Sequence, residues 1–426
     1  KDSLYKISDF KRLDPFLMSI NSSDNHWMYI SSTGCLTAGR KQAKYALFPY
    51  VTDDLLHQNA RYTGPSTHII VEQSNKKYLW QPFSDQIESY KKEQNLYKNS
   101  LGNKIVFEEV NHSLGLTFLY GWQASSRYGF VKKTKLINHS EVKVKVKLID
   151  GLKNILPAGL ELRTQQEMSN LANAYKVSEC NPDYNYALYY MNALLMDKPD
   201  PGESLFSNMV WSFSEEKFEL SLNQKSINTF LNDQCFTSDL LIKGKEGSFL
   251  NYIEKSLGQD HEMCWYIVAD VQKSQSDIVG IVSDLKEHDT LKDKLEESIL
   301  DNHYEFEKNI GMADGFQCTN NSMNDLHHTA NVTYNVLRGG IFSDNYNIQK
   351  SSLLSFLKVR NKNIFETYDD DISKLPDTLS IIDLKEFSDR SNDPALRRIC
   401  REYLPLTLGR RHGDPSRPWN HFNIIT

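Results

Sequence analysis

The stretch from Glu141 to Leu148 reads Glu-Val-Lys-Val-Lys-Val-Lys-Leu, and its strict alternation constrains the fold more than any other feature of the chain. Side chains alternate across a strand, so Val142, Val144, Val146 and Leu148 share one face and three lysines share the other. That pattern is the mark of an antiparallel strand with one face on a core and the other in water. Further strands are predicted at 67–72, 104–110, 116–122, 186–195, 209–214, 218–222 and 263–268. They are short and separated by Gly, Asn, Asp and Ser turns, and no helix alternates with each of them. A doubly wound sheet is therefore disfavoured, and the expected fold is mainly β, a large antiparallel β-sandwich. One helical insertion is predicted near 163–175.

The pattern changes near residue 285. Leu291, Leu295 and Ile299 recur every four residues, with Phe306 beyond, inside the charged segment 286–308, as in an amphipathic helix. A second helix, about 323–337, would align Leu326, Ala330, Tyr334 and Leu337 and stop at Gly339–Gly340. A short third helix is expected at 351–359. A fourth would start at Asp393–Pro394, a cap followed by proline at the first helical position, and end near Tyr403 before Pro405. At 426 residues the chain exceeds what one core usually covers. The predicted domains are 1–285, rich in strands, and 286–426, helical.

Composition excludes several classes. A net charge of -6 gives no footprint for nucleic acid. No apolar run approaches the roughly 20 residues of a membrane-spanning helix. The six cysteines lack paired spacing, which favours thiols in a reducing, cytoplasmic setting over a disulfide framework. The first residue is Lys1, which leaves open a leader removed before it. No CxxC or HxxxH pattern suggests zinc. Neither GxxxxGK[ST] nor GxGxxG occurs, so nucleotide binding is not expected and no cofactor is implied. Gly34 and Gly39 are assigned to hairpin turns, and Trp27, Trp80, Trp122 and Trp211 to the core.

Six stretches carry a family likeness. They are Trp27 to Gly34, Leu36 to Arg40, Ala46 to Tyr50, Asp150 to Pro157, Asn331 to Gly340 and Arg410 to Asn420. Together, over essentially the whole chain, they resemble bacterial proteins related to the cellobiose-phosphorylase-like glycoside phosphorylases and hydrolases. The resemblance implies an N-terminal β-super-sandwich of galactose-mutarotase-like type, linker helices and the start of an (α/α)6 six-hairpin barrel. It also implies that the general acid lies in the barrel, outside this chain, which would shape the substrate cleft and pack against that barrel. The implied partner is an oligosaccharide, with phosphate as a second candidate. The alternative from another class is a non-catalytic carbohydrate-binding or scaffolding module. A third, an independent mutarotase-like enzyme, requires a His and a Glu or Asp converging in one cavity.

The best local candidate for sugar binding is the C-terminal run Arg410, Arg411, His412, Asp414, Arg417, Trp419 and Asn420. It combines bidentate polar groups for hydroxyls, an aromatic face for a sugar ring and guanidinium forks that match phosphate. A structural corner built on Gly413, Pro415 and Pro418 explains the same residues equally well. Glu108 and Glu109 are adjacent on a strand and point to opposite faces, so they cannot flank one glycosidic bond; an exposed strand end is expected there. Asp369, Asp370 and Asp371 are expected in a solvated loop, because they lack the pattern of a calcium site. His327 and His328 lie about 100° apart around a helix and cannot share one metal. Arg338 is expected to pair with a carboxylate at the junction of the two domains.

Overall fold

In the computed structural model, residues 4–51, 53–73, 75–84, 90–193, 204–232, 234–312, 315–316, 318–335 and 348–410 are described. The chain forms two units, Lys1–Tyr304 and Glu305–Thr426.

The first unit holds the large sheets. Its strands are β1 (Leu4–Ile7), β2 (Leu17–Ile20), β3 (His26–Ser31), β4 (Leu36–Arg40), β5 (Gly64–Gln73), β6 (Lys76–Trp80), β7 (Lys92–Asn99), β8 (Ile105–Asn111) and β9 (Leu116–Ser125). They continue as β10 (Gly129–Asn138), β11 (Val144–Ile155), β12 (Lys176–Asn181), β13 (Tyr186–Met191), β14 (Ser207–Ser214), β15 (Glu219–Ser221), β16 (Leu241–Lys243), β17 (Gly247–Leu257) and β18 (Glu262–Lys273). One sheet has the order β1-β7-β8-β9-β10-β18-β14-β13-β12-β16, a second β15-β17-β11-β5-β6, and a third β2-β3-β4. All of these ladders are antiparallel, in keeping with the turn-rich sequence.

One core is shared by the sheets. Ile105, Phe107, Phe118, Trp122 and Trp265 from the ten-stranded sheet meet Ile69, Val71, Val146, Leu148 and Phe249 from the five-stranded one. Helices cover the outer faces. α1 (Asp53–Gln58), α2 (Leu162–Glu167) and α3 (Ser169–Tyr175) lie in connections, and α4 (Lys225–Leu231) puts Ile227 and Phe230 against Ile70, Ile149 and Tyr252. α5 (Gln275–Lys286) and the first turns of α6 (His288–Met312) lay Ile281, Leu285, Leu291 and Leu295 on Val131, Trp211, Tyr266 and Val268. This cover explains where the alternating pattern fades. Along β11, Val144, Val146 and Leu148 are buried while Lys145 is exposed, but from Ile149 onward both faces are covered. Val142 precedes the strand and is exposed.

Buried charge ties the facing sheets together. Lys132 on β10 donates to both oxygens of Asp150 on β11 at 2.7 and 2.8 Å, and both side chains are fully buried. Trp265 Nε1 and Thr67 Oγ1 each donate to the same carboxylate at 2.7 Å. Burial pulls the Lys132 ammonium below its usual range, and Asp150 acts against that pull. A second network joins Arg40 to Asp270 at 2.7 and 3.0 Å and to Asp24 at 3.0 Å.

The second unit is helical. It contains α7 (Ser322–Asn335), α8 (Lys350–Arg360), α9 (Lys362–Ser373), α10 (Ile381–Arg390) and α11 (Pro394–Arg410), with a short antiparallel pair formed by β19 (Ile348–Gln349) and β20 (Thr378–Leu379). Leu353, Phe356, Leu357, Ile364, Ile372, Leu384, Leu396, Ile399 and Tyr403 form its core. Asn361 caps α9, accepting from Ile364 N, and Ser380 opens α10 with a reciprocal Ser380–Asp383 capping box.

Several local expectations are corrected. On α7 the buried positions include Thr329 and Thr333, while Ala330 is exposed, so the apolar stripe is rotated from the predicted one. Asp369, Asp370 and Asp371 lie on α9, not in a loop; the buried Ile364 and Ile372 hold the opposite face, which leaves the acidic run to water. α11 continues past Pro405 to Arg410. Proline removes one backbone donor and disfavours the turn before it, but Leu396, Ile399 and Tyr403 already anchor the helix. Gly39 is a strand residue of β4, not a turn. A side chain there would meet Tyr45 O at 2.3 Å, so the glycine permits close backbone approach. Gly34 does sit in the β3–β4 turn, with φ +92°. Glu109 is no exposed strand end, because it is fully buried. Leu337, Arg338 and Gly339–Gly340 lie outside the described residues.

Candidate functional site

The C-terminal run predicted to bind sugar lies beyond what the structure describes. Arg411, His412, Asp414, Arg417, Trp419 and Asn420 are outside the described residues, and Arg410 is described only as the last residue of α11.

What the structure does assemble is a cavity of about 750 Å³ in the sheet-rich unit. Its walls come from far apart in sequence. Lys11 follows β1, Thr33 and Gly34 form the β3–β4 turn, and His57 and Arg61 end the α1 region. Ser66, Thr67 and His68 come from β5, Gln81 to Ser84 follow β6, Tyr120 lies on β9 and Lys153 on β11, while Gln224, Lys225, Ile227, Asn228 and Leu231 belong to α4 or its approach. Gly34 brings its backbone close to the wall, since a Cβ there would lie 3.3 Å from Tyr120 Oη.

The polar groups are held by specific partners. His68 Nδ1 accepts from the Gln81 side-chain amide at 3.0 Å, because an amide nitrogen can only donate. The ring proton then sits on Nε2, which is 3.1 Å from Ser66 Oγ. Burial, helped by the nearby Lys153 charge, lowers the His68 pKa to about 4, so the ring is neutral at ordinary pH. His57 Nδ1 is 2.6 Å from Ser31 Oγ. Lys153 Nζ donates to the Arg61 carbonyl at 2.6 Å. Burial lowers its pKa to about 8, which leaves it largely protonated at neutral pH.

Glu109 reaches the cavity through its partners. It accepts from Trp80 Nε1 at 2.6 Å, from Phe83 N at 2.7 Å and from Gln94 Nε2 at 2.5 Å. Phe83 has φ +63°, an unfavourable conformation for a bulky residue. The bond from its N–H to Glu109 therefore holds the Gln81–Ser84 wall in a shape it would not adopt alone. Glu108, on the other face of β8, accepts from Asn95 and Tyr97 at 2.9 and 2.8 Å.

None of the described lining residues is Asp or Glu, so the cavity offers no described carboxylate for acid–base work. The His and carboxylate pair required by a mutarotase-like enzyme is therefore not brought together by the described lining of this cavity. No group of His, Cys, Asp and Glu able to hold a metal occurs among them either. Sequence reasoning missed this cavity because its residues span 11 to 231 without a local motif. One signal was available: two of the stretches that carry the family likeness, Trp27 to Gly34 and Asp150 to Pro157, supply Thr33, Gly34 and Lys153.

Comparison with known proteins adds a link in the second unit. Residues 342–405 match a family model described as glycoside hydrolase family 149 insertion domain 1. This match links that segment to carbohydrate-active proteins of the glycoside hydrolase kind. No curated protein matches the chain. Among solved structures, a bacterial glucoamylase complexed with acarbose superimposes with TM-score 0.38 and 10% identity, covering 86% of this chain and 51% of its own. A candidate kojibiose phosphorylase from human microbiome gives TM-score 0.33 and 11% identity over 57% of this chain and 27% of its own. The Slr1438 protein from Synechocystis gives TM-score 0.31 and 7% identity over 61% of this chain and 96% of its own. The chain thus spans about half of the glucoamylase and about a quarter of the phosphorylase, and superpositions this loose fix no function.

Proposed function

We propose that this chain is part of a glycoside hydrolase- or phosphorylase-like enzyme acting on oligosaccharides. The observation that carries the reading is the match of residues 342–405 to a glycoside hydrolase family 149 insertion domain. In this reading the sheet-rich unit is a galactose-mutarotase-like super-sandwich that shapes the substrate cleft, and the general acid comes from a helical barrel outside the chain. Residues 286–426 are then linker helices and the approach to that barrel, with 342–405 an inserted helical module. The run Arg410 to Asn420 would contribute sugar contacts, with Trp419 stacking on a sugar ring and Arg411 and Arg417 taking phosphate or hydroxyl oxygens. The protein works in the cytoplasm.

The test is turnover by the full-length protein on a panel of oligosaccharides, with and without phosphate, read as released sugar and as sugar 1-phosphate. Turnover that collapses in Trp419→Ala or Arg417→Ala supports the reading. No turnover of any oligosaccharide, together with no heat of sugar binding, overturns it.

A second reading, a non-catalytic carbohydrate-binding module, is favoured by one feature of the first unit: the cavity wall carries no described carboxylate. It expects the 426-residue chain to bind glycans while the full-length protein turns none over.

A further inference from the structure

We infer that the cavity between β5, β11 and α4 binds an anionic sugar, a hydroxyl-rich ligand carrying phosphate, sulfate or carboxylate. This inference stands on the cavity alone and does not rest on the glycoside hydrolase reading.

The first ground is charge. The chain as a whole is acidic, with net charge -6. Several of its cations elsewhere meet a carboxylate: Arg40 with Asp270, Arg127 with Asp284, Lys132 with Asp150 and Lys133 with Glu296. Arg61, Lys153 and Lys225 line the cavity, and no described lining residue is acidic. Lys153 is the telling one. It is 7% exposed, donates to the Arg61 carbonyl, and no described carboxylate stands among the groups that act on its charge. A buried ammonium without a counter-charge is costly, and an anion in the cavity would remove that cost. The nearest buried carboxylate, Asp150, is already committed to Lys132, Trp265 and Thr67.

The second ground is size and the remaining lining. A volume of about 750 Å³ lies within the roughly 300–1,000 Å³ of ordinary ligand pockets and far exceeds a bare inorganic anion. Gln58, Gln81, Thr33, Asn228 and Gln224 supply neutral donors and acceptors of the kind that vicinal hydroxyls need, and Phe83 with Pro82 gives an apolar surface for ring C–H groups. His68, kept neutral and pinned between Ser66 and Gln81, adds a fixed polar edge without adding charge.

The experiment is titration calorimetry on the 426-residue chain, with glucose 6-phosphate, glucuronate, unmodified glucose and inorganic phosphate as probes at low and high salt. The expected result is binding of glucose 6-phosphate or glucuronate at least tenfold tighter than of glucose and of inorganic phosphate, weakening as salt rises. Lys153→Met should abolish it. The exposed Arg61→Ala and Lys225→Gln, which leave the core untouched, should each weaken it about threefold or more. These two keep the test decisive if the Lys153 variant does not fold. Equal affinity for glucose and its charged derivatives overturns the charge argument. Inorganic phosphate binding as tightly as the sugar phosphate overturns the sugar. Absence of binding by every probe, or no loss in Arg61→Ala and Lys225→Gln, overturns the site.

Discussion

Replacing Lys132 by Met tests whether the two facing sheets are held in register by buried charge. In the native chain the Lys132 ammonium bonds both oxygens of Asp150, and neither side chain is exposed. Methionine fits the aliphatic length of lysine but leaves the Asp150 carboxylate with only Trp265 Nε1 and Thr67 Oγ1 as donors. Breaking one half of a buried pair typically costs about 3–5 kcal/mol. At roughly 2 °C per kcal/mol for a large domain, Tm should fall by about 6–10 °C. Removing both charges should cost less. In Lys132→Met/Asp150→Asn the Asn amide oxygen takes the place of Oδ2 and still accepts from Trp265, while its NH2 takes the place of Oδ1 and donates to Thr67 Oγ1, and replacing a buried pair by neutral groups is often close to neutral. The double variant is therefore expected to recover at least about 2 kcal/mol of the single variant's loss. Urea unfolding followed by tryptophan fluorescence suits the measurement, because Trp80, Trp122, Trp211 and Trp265 all lie buried in this unit. A single-variant cost below about 1 kcal/mol, or a double variant no better than the single, would show that the pair contributes no coupling across the sheets.

Three further outcomes follow from named contacts. His26 is buried, and burial with the Arg40 charge lowers its pKa to about 4 from the usual 6.5. The unfolded chain then binds the extra proton first, so stability should fall as pH drops from about 6.5 to 4, by up to about 1.4 kcal/mol per pH unit; a His26→Gln variant should show a flatter acid limb in pH-dependent urea unfolding, and an unchanged limb would refute the assignment. Glu109→Ala strands the buried donors of Trp80, Phe83 and Gln94, so it should cost about 3 kcal/mol or more and raise proteolysis at the Gln81–Ser84 wall. Ser380→Ala removes the cap of α10 and should lower the stability of the helical unit by about 1 kcal/mol, read by thermal unfolding at 222 nm, with no change in the sheet-rich unit.

How much of this was legible in the sequence depends on which surfaces are covered. The alternation at 144–148 was readable because that half of β11 has one wet face, as Lys145 and Lys147 show. From Ile149 to Ile155 the strand is covered by the core on one side and by α4 and the cavity wall on the other, so the period of two disappears. α9 and α10 lie outside the predicted helices although the sequence carries signals for both. Ile364, Tyr368 and Ile372 recur every four residues, and Ser380 with Asp383 is a capping box; the three aspartates on the wet face of α9 give that segment the composition of a loop. Pro405 was read as a stop because proline is disfavoured inside helices, yet α11 runs through it. The cavity could not be read at all, since topology alone brings residues 11, 57, 68, 81, 153 and 225 to one wall.

The buried residues also separate structural from binding chemistry. Asp150, Asp270 and Glu109 are the acidic groups that burial and sequence would nominate first for catalysis. Asp150 answers to Lys132, Asp270 to Arg40, and Glu109 to three N–H donors. Each has its acceptor sites filled by neighbours in the fold, which is how buried charge is retained without a ligand. Lys153 has the opposite character: it is as buried as many core groups, and among the described residues it donates to the Arg61 carbonyl and lines the cavity. A buried ammonium facing about 750 Å³ of space is the ground for the charged-sugar site inferred in the sheet-rich unit. Lys153→Met should therefore behave unlike Lys132→Met. It removes a charge that no described carboxylate pairs and not one half of a pair, so stability should hold or rise while affinity for a charged sugar is lost. A loss of stability comparable to that of Lys132→Met would mean that Lys153 is structural after all, and the cavity would lose its strongest claim to a ligand.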